Sequence, residues 1–133
     1  MRLRQEVFIV EQNCPYLDAD GKDELAFHLL GCNEQGELMA YCRLLPPYLA
    51  YPTRGDVSIG RVVTAAKVRG SGAGRVLMQT AIQQLPILFG NNLVCRISAQ
   101  SYLLQFYENL GFYSTGKAYL EDDIPHTEMV MDM

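Results

Sequence analysis

Apolar and polar positions alternate along this chain with two different periods, and the changes of period mark out its elements. Residues 3–12 carry Leu3, Val7, Phe8 and Val10 at i, i+4, i+5 and i+7, which predicts a short helix. Asn13, Cys14 and Pro15 close it, because proline disfavours helix at the residue before it. Residues 25–32 and 37–45 are apolar, β-rich runs joined by Asn33-Glu34-Gln35-Gly36, a hairpin pattern, and Pro46-Pro47 ends the second run. Residues 58–65 form another strand candidate, in which Gly60 marks a bulge or a close approach. Residues 72–85 read as a helix through Val76, Leu77, Ile82 and Leu85, stopped by Pro86. A strand over 93–98, a helix over 102–110 stopped by Gly111, and strands over 113–120 and 127–131 complete the chain. Helices and strands alternate in the middle and strands dominate both flanks, which predicts an α/β or α+β class with a mixed sheet.

Composition narrows the class. At 133 residues, 49% apolar and 20% charged, the chain is expected to form one domain over 1–133 with a core that needs no staples. No apolar run approaches the roughly 18 residues of a spanning helix, and residues 7–10 are too few for a signal-peptide core, so we expect a cytoplasmic protein without a membrane partner. The four cysteines, Cys14, Cys32, Cys42 and Cys95, form no C-x-x-C pair, and only two histidines accompany them. They are expected to be free thiols rather than disulfides or metal ligands. A net charge of −4 argues against duplex nucleic acid and for a small-molecule partner. The acidic segment 18–24 resembles a calcium loop, but its sixth and twelfth places hold Asp23 and Leu29 instead of glycine and glutamate, which leaves a solvated turn.

The segment that carries chemistry runs from Val62 to Arg75. A strand enters a glycine-rich turn that opens a helix, so unpaired backbone N–H groups and the positive end of the helix dipole converge where a phosphate can bind. A dinucleotide fingerprint fails because its third glycine is Arg75, and a Walker loop fails because no lysine follows Gly74. What fits is Arg69-x-x-Gly72-x-Gly74, the [Arg/Gln]-x-x-Gly-x-[Gly/Ala] signature of the GNAT acetyltransferases. A second hallmark of that superfamily, Tyr-Glu-x-Leu-Gly-Phe after an apolar strand, matches residues 107–112. The opening segment through Pro15 and Tyr16, Ile59-Gly60-Arg61-Val62, Ser98-Ala99-Gln100 and Glu121-Asp122-Asp123-Ile124-Pro125-His126 further resemble the ElaA-like branch over essentially the whole chain.

The resemblance implies a largely antiparallel mixed sheet with a splayed parallel strand pair, flanked by helices, and direct transfer of acetyl from acetyl-CoA to an amine in a ternary complex. The pantetheine arm is expected between strands 58–65 and 93–98, bonded to backbone around Val62, Val63 and Thr64. The amides of Gly70, Ser71, Gly72, Ala73 and Gly74 are expected to hold the pyrophosphate, with Arg69 adding charge or orienting the turn. Tyr107 matches the tyrosine that protonates the departing thiolate, and Gln100 replaces a cofactor-contacting asparagine seven residues earlier. Candidates for the base are Glu11, His28, His126 and the acidic run 121–123, with His28 read as a packed core histidine. Arg61 is a candidate partner for a carboxylate on the acceptor, and the two acidic segments either attract a cationic amine or serve solubility. Two alternatives stay open: an acyl-homoserine-lactone-synthase-like enzyme, suggested by Arg4-x-x-Val7-Phe8, and a CoA-binding module without catalysis. The resemblance implies a further strand ahead of Met1, so either the sequence is an N-terminal truncation or the sheet has one strand fewer and an exposed edge that invites pairing with a second copy.

Overall fold

The computed structural model describes residues 7–12 as backbone, and 26–65 and 72–133 in full. Strands β1 (Val7–Gln12), β2 (Phe27–Cys32), β3 (Leu38–Leu45) and β4 (Ser58–Thr64) form one sheet in the order β1-β2-β3-β4. Helix α1 (Ala73–Phe89) leads to β5 (Val94–Gln100), a 3-10 turn (Ser101–Leu103), helix α2 (Leu104–Leu110), β6 (Tyr113–Glu121) and β7 (Ile124–Asp132), whose strands form a second sheet in the order β5-β7-β6. All named strand pairs within each sheet are antiparallel.

The helix expected over residues 3–12 is corrected by β1. Val7, Phe8, Ile9 and Val10 form an unbroken β-branched and aromatic run, stiff at χ1 and suited to a pleated surface, and pairing from Val7 opposite Cys32 to Gln12 opposite Phe27 makes β2 an interior strand. A second correction concerns Pro86, which lies inside α1 instead of ending it. Proline removes one backbone bond and strains the preceding turn. Continuing the helix past it lets Leu88 and Phe89 pack on the core, and the Phe89 ring meets Phe27 edge-on at 5.7 Å. Gly90 then ends the helix at φ 98°. The second helix starts later than expected, because its first turn, Ser101–Leu103, is 3-10. The hairpin between β2 and β3 forms as read: Asn33 Oδ1 accepts from the N–H groups of Gln35 and Glu37, and Gly36 supplies φ 81°.

Leu77, Met78, Ala81 and Leu85 of α1 are fully buried against Leu29, Cys42 and Leu44 of the first sheet and Cys95, Ile97 and Met129 of the second. Cys42 and Cys95 behave as small core hydrophobes, and burial pushes both thiols up to about 12. Cys32, Cys42 and Cys95 are free thiols, while Cys14 and the segment 18–24 lie outside the described residues. Among the described residues no helix is long and apolar enough to cross a membrane.

The two sheets meet at a single parallel rung. Val57 N–H donates to Val94 O at 2.9 Å and Arg96 N–H donates to Val57 O at 2.9 Å. A charge cluster fastens this root: Arg96 Nε donates to Asp56 Oδ2 at 2.7 Å and its Nη1 to Glu128 Oε1 at 2.8 Å, with the guanidinium carbon 6.0 Å from the Tyr51 ring. Beyond it β4 and β5 part. Arg43 pairs with Gly60 and Tyr41 with Val63, so Arg61 and Val62 together face Cys42 in a bulge, and Arg61 adopts φ 53°. The bulge expected at Gly60 therefore falls one residue later.

Candidate functional site

Where β4 and β5 separate, a cavity of about 340 Å3 opens. Ile59, Gly60, Arg61 and Val62 line it from β4, and Ile97, Ser98 and Gln100 from β5. Tyr102, Leu103 and Tyr107 close one wall, and His126 of β7 enters from the other side. Past Val57 the β5-facing edge of β4 has no strand partner among the described residues, although the Ile59 backbone meets the Cys95 thiol.

The helix that follows β4 begins without a side-chain cap. Gly72 caps α1 at φ 87°, a left-handed conformation that glycine adopts without a Cβ penalty. No side chain caps this end, and no acidic residue occupies its first turn, so the first N–H groups are not taken up by a carboxylate of the helix. A Cβ on Gly74 would meet Thr64 Cγ2 at 3.9 Å and Phe106 Cζ at 4.0 Å, ordinary contact distances. Glycine at 74 is therefore not demanded by packing in the protein, which fits a turn kept low for a ligand. Ala73 is buried, Thr64 is half-buried and Val63 is 56% exposed. Arg69, Gly70 and Ser71 lie outside the described residues.

Tyr107 reaches the cavity because α2 is short. Gly111 stops the helix at φ 110°, and Phe112 N–H folds back to donate to Tyr107 O at 3.1 Å. The reversal packs the Phe112 ring edge-on against Tyr107 at 5.9 Å, while Phe106 holds the other side at 5.1 Å. The Tyr-Glu-x-Leu-Gly-Phe pattern thus builds a rigid aromatic clamp. Burial raises the Tyr107 phenol above its ordinary value, with smaller contributions from Cys42 and Tyr102, so it is a protonated donor at neutral pH.

His126 is buried, and its Nδ1 lies 2.8 Å from Ile124 O. A carbonyl can only accept, so Nδ1 carries a proton, and in the neutral ring the lone pair is at Nε2. Glu121 Oε2 stands 3.7 Å from Nε2 and is largely exposed. Gln100 is directly opposite His126 on β5, which brings two residues distant in sequence to one rung of the cavity.

Other expected site residues are placed apart. His28 is fully buried in the first sheet, stacked on Tyr41, with its Nδ1 2.6 Å from the Tyr41 hydroxyl, consistent with its reading as a core histidine. Glu11 lies on β1 opposite His28 and not at the end of a helix. Its strand stands three strand spacings, roughly 14 Å, from β4. Ser98 and Tyr102 line the cavity without having been assigned a role from the sequence. The signal for Ser98 was the polar alternation Arg96, Ser98, Gln100 along an otherwise apolar strand. Among the described residues no group of three His, Cys, Asp or Glu side chains could hold a metal ion.

A family model described as an acetyltransferase (GNAT) domain matches residues 20–133. A UPF0039 protein of Synechocystis is 44% identical over 130 residues, covering 98% of this chain and 82% of that protein. The ElaA protein of Escherichia coli is 36% identical, covering 100% of this chain and 85% of its own length. Its crystal structure superposes with a TM-score of 0.74 over 90% of this chain and 78% of ElaA, at 34% identity. An acyl-CoA N-acyltransferase from Pseudomonas aeruginosa superposes with a TM-score of 0.74 at 38% identity, covering 89% of this chain and 77% of that one.

Proposed function

The chain belongs to the GNAT acetyltransferase family, and from that premise we propose that it is an acetyl-CoA-dependent N-acetyltransferase acting directly on the amine of a small molecule or peptide. The observation that carries the reading is convergence: a phenol donor, Tyr107, and an imidazole acceptor, His126, line one cavity beside an unpaired strand edge and an uncapped helix start.

In this reading the open edge of β4 at Val62, Val63 and Thr64 holds the amide-bearing arm of acetyl-CoA. The amides of Gly70, Ser71, Gly72, Ala73 and Gly74, with Arg69, hold its pyrophosphate. Gln100 adds a side-chain amide at the same rung as His126. His126 Nε2 takes the proton that the amine loses as its nitrogen bonds to the acetyl carbon, and Tyr107 gives its proton to the sulfur as the carbon–sulfur bond breaks. Protons and electrons balance, and the two residues return to their starting states through solvent. Arg61, on the bulge at the cavity mouth, faces the acceptor. His126 is preferred to Glu11 as the base because it lines the cavity, whereas the strand that carries Glu11 stands at the far edge of the first sheet from β4. We read residues 1–133 as one such domain, working in the cytoplasm on small molecules.

Thermal-shift titration with acetyl-CoA, followed by a free-thiol assay across a panel of primary amines, tests this. The reading expects a raised melting temperature and amine-dependent thiol release. A shift without release from any amine would support a CoA-binding module instead, and release only with longer acyl donors would support an acyl-homoserine-lactone-synthase-like enzyme. Absence of any shift with folded protein would contradict the reading.

A further inference from the structure

His126 does not hold its orientation alone. Tyr119 of β6 is its direct cross-strand partner, and the two rings lie nearly parallel, 6.1 Å apart at 15°. From β6 the Tyr119 hydroxyl reaches across β7 and donates to Ser98 Oγ on β5. The phenol therefore spans all three strands of the second sheet, flat against the imidazole and anchored at its far end on a residue that lines the cavity. On the other side of the imidazole, the hairpin turn at Asp122 and Asp123, with φ of 52° and 63°, and Pro125 bring Ile124 O onto Nδ1.

We propose that Tyr119 is a positioning residue that, through its stack on His126 and its anchor on Ser98, fixes the imidazole in the single orientation and tautomer that turns Nε2 to the cavity. The proposal rests on the reading of His126 as the base for its catalytic consequence, but not for its structural content. Two restraints are needed because either alone leaves one rotation free. The hydrogen bond to Ile124 O sets which nitrogen is protonated, and the stack stops the ring from swinging about χ2 and exchanging its nitrogens. The charged and titratable groups around the imidazole are Glu121 and Lys117 on β6 with Tyr119 itself, Arg61 on β4, Tyr102 after β5, and Tyr107 on α2. Tyr119 differs from these in touching both the imidazole ring and a residue of the opposite cavity wall.

Imidazole 15N chemical shifts, read on the full chain without any ligand, test the positioning directly. Wild type is expected to show one tautomer at His126, protonated at Nδ1. Tyr119→Leu is expected to show averaged shifts from exchanging tautomers, and thiol release slowed on the order of tenfold or more at unchanged acetyl-CoA KM. Tyr119→Phe and Ser98→Ala keep the stack but lose the anchor, so each is expected to broaden the His126 signals to the same extent, and the double variant no further. These two milder changes keep the test decisive if the leucine variant does not fold. A fixed Nδ1–H tautomer in all three variants, or full thiol release by a Tyr119→Leu protein whose tautomers exchange, would overturn the proposal. His126→Gln separates the two claims: undiminished thiol release in that variant would remove His126 as the base while leaving the tautomer result standing.

Discussion

The two ends of the β4–β5 pair use opposite means. At the root, Asp56, Arg96 and Glu128 form a charge cluster with side chains only 12–15% exposed, and the peptide groups of Val57 bond across the junction. At the mouth, the Arg61 bulge turns β4 aside, and the facing polar groups of Gln100, Tyr107 and His126 converge on space instead of on one another. The same two strands are thus joined by hydrogen bonds at Val57 and stand apart a few residues later. The contrast teaches that the cavity is a property of the junction: strands that part need a rung that cannot part.

Breaking the root is expected to have the largest effect on stability. Arg96→Met leaves Asp56 and Glu128 without their shared cation, and we expect a loss of about 3 kcal/mol in urea-induced unfolding, in the range for removing one member of a largely buried pair. Loss of acetyl-CoA binding at temperatures where the variant is still folded would tie the root to the shape of the mouth. Next in size is Gly111→Ala, at the stop that lets Phe112 clamp Tyr107. Its φ of 110° disfavours any side chain, while the nearest atom, Met131 Cε at 3.1 Å, is the movable end of a flexible group, so a cost of about 1–2 kcal/mol is expected.

The root also has a pH signature. Burial, with the nearby Tyr119 and Glu128, pushes the Tyr51 phenol up to about 12 from the usual 10. A group whose folded value is raised contributes stability that is complete below the unfolded value and is lost as pH rises through the folded one. Stability is therefore expected to decline from about pH 10 to about pH 12, and to decline less in Tyr51→Phe, as followed by denaturant midpoints. The smallest expected effect is chemical. With both thiols near 12, native Cys42 and Cys95 are expected to resist iodoacetamide at pH 8 while Cys32, partly exposed, reacts.

Much of this layout could be read from the chain because it is local. The strands from β2 onward, the Gly72 cap, the Gly111 stop and the place of Tyr107 follow from turn chemistry and periodicity within a few residues. Residues 3–12 misled because four apolar positions satisfy a helical spacing, and only the partner edge of β2 decides between that and a β-branched strand. Pro86 misled because a local helix-breaking rule was outweighed by burial of Leu88 and Phe89 against distant residues. The places of Tyr107 and of Gly72 at the start of α1 were legible, because short motifs encode them. His126 was one of several candidate bases, and its place opposite Gln100 on one neighbouring strand and Tyr119 on the other was not legible, since those pairings depend on register across the sheet.

Single-turnover thiol release by wild type, Tyr107→Phe and His126→Gln, each saturated with acetyl-CoA and supplied with an amine that wild type acetylates, tests the convergence of donor and acceptor most directly. The account predicts that each variant binds acetyl-CoA with near wild-type affinity and releases thiol about a hundredfold more slowly, in keeping with the loss of a positioned acid or base. Undiminished release in either variant would contradict it.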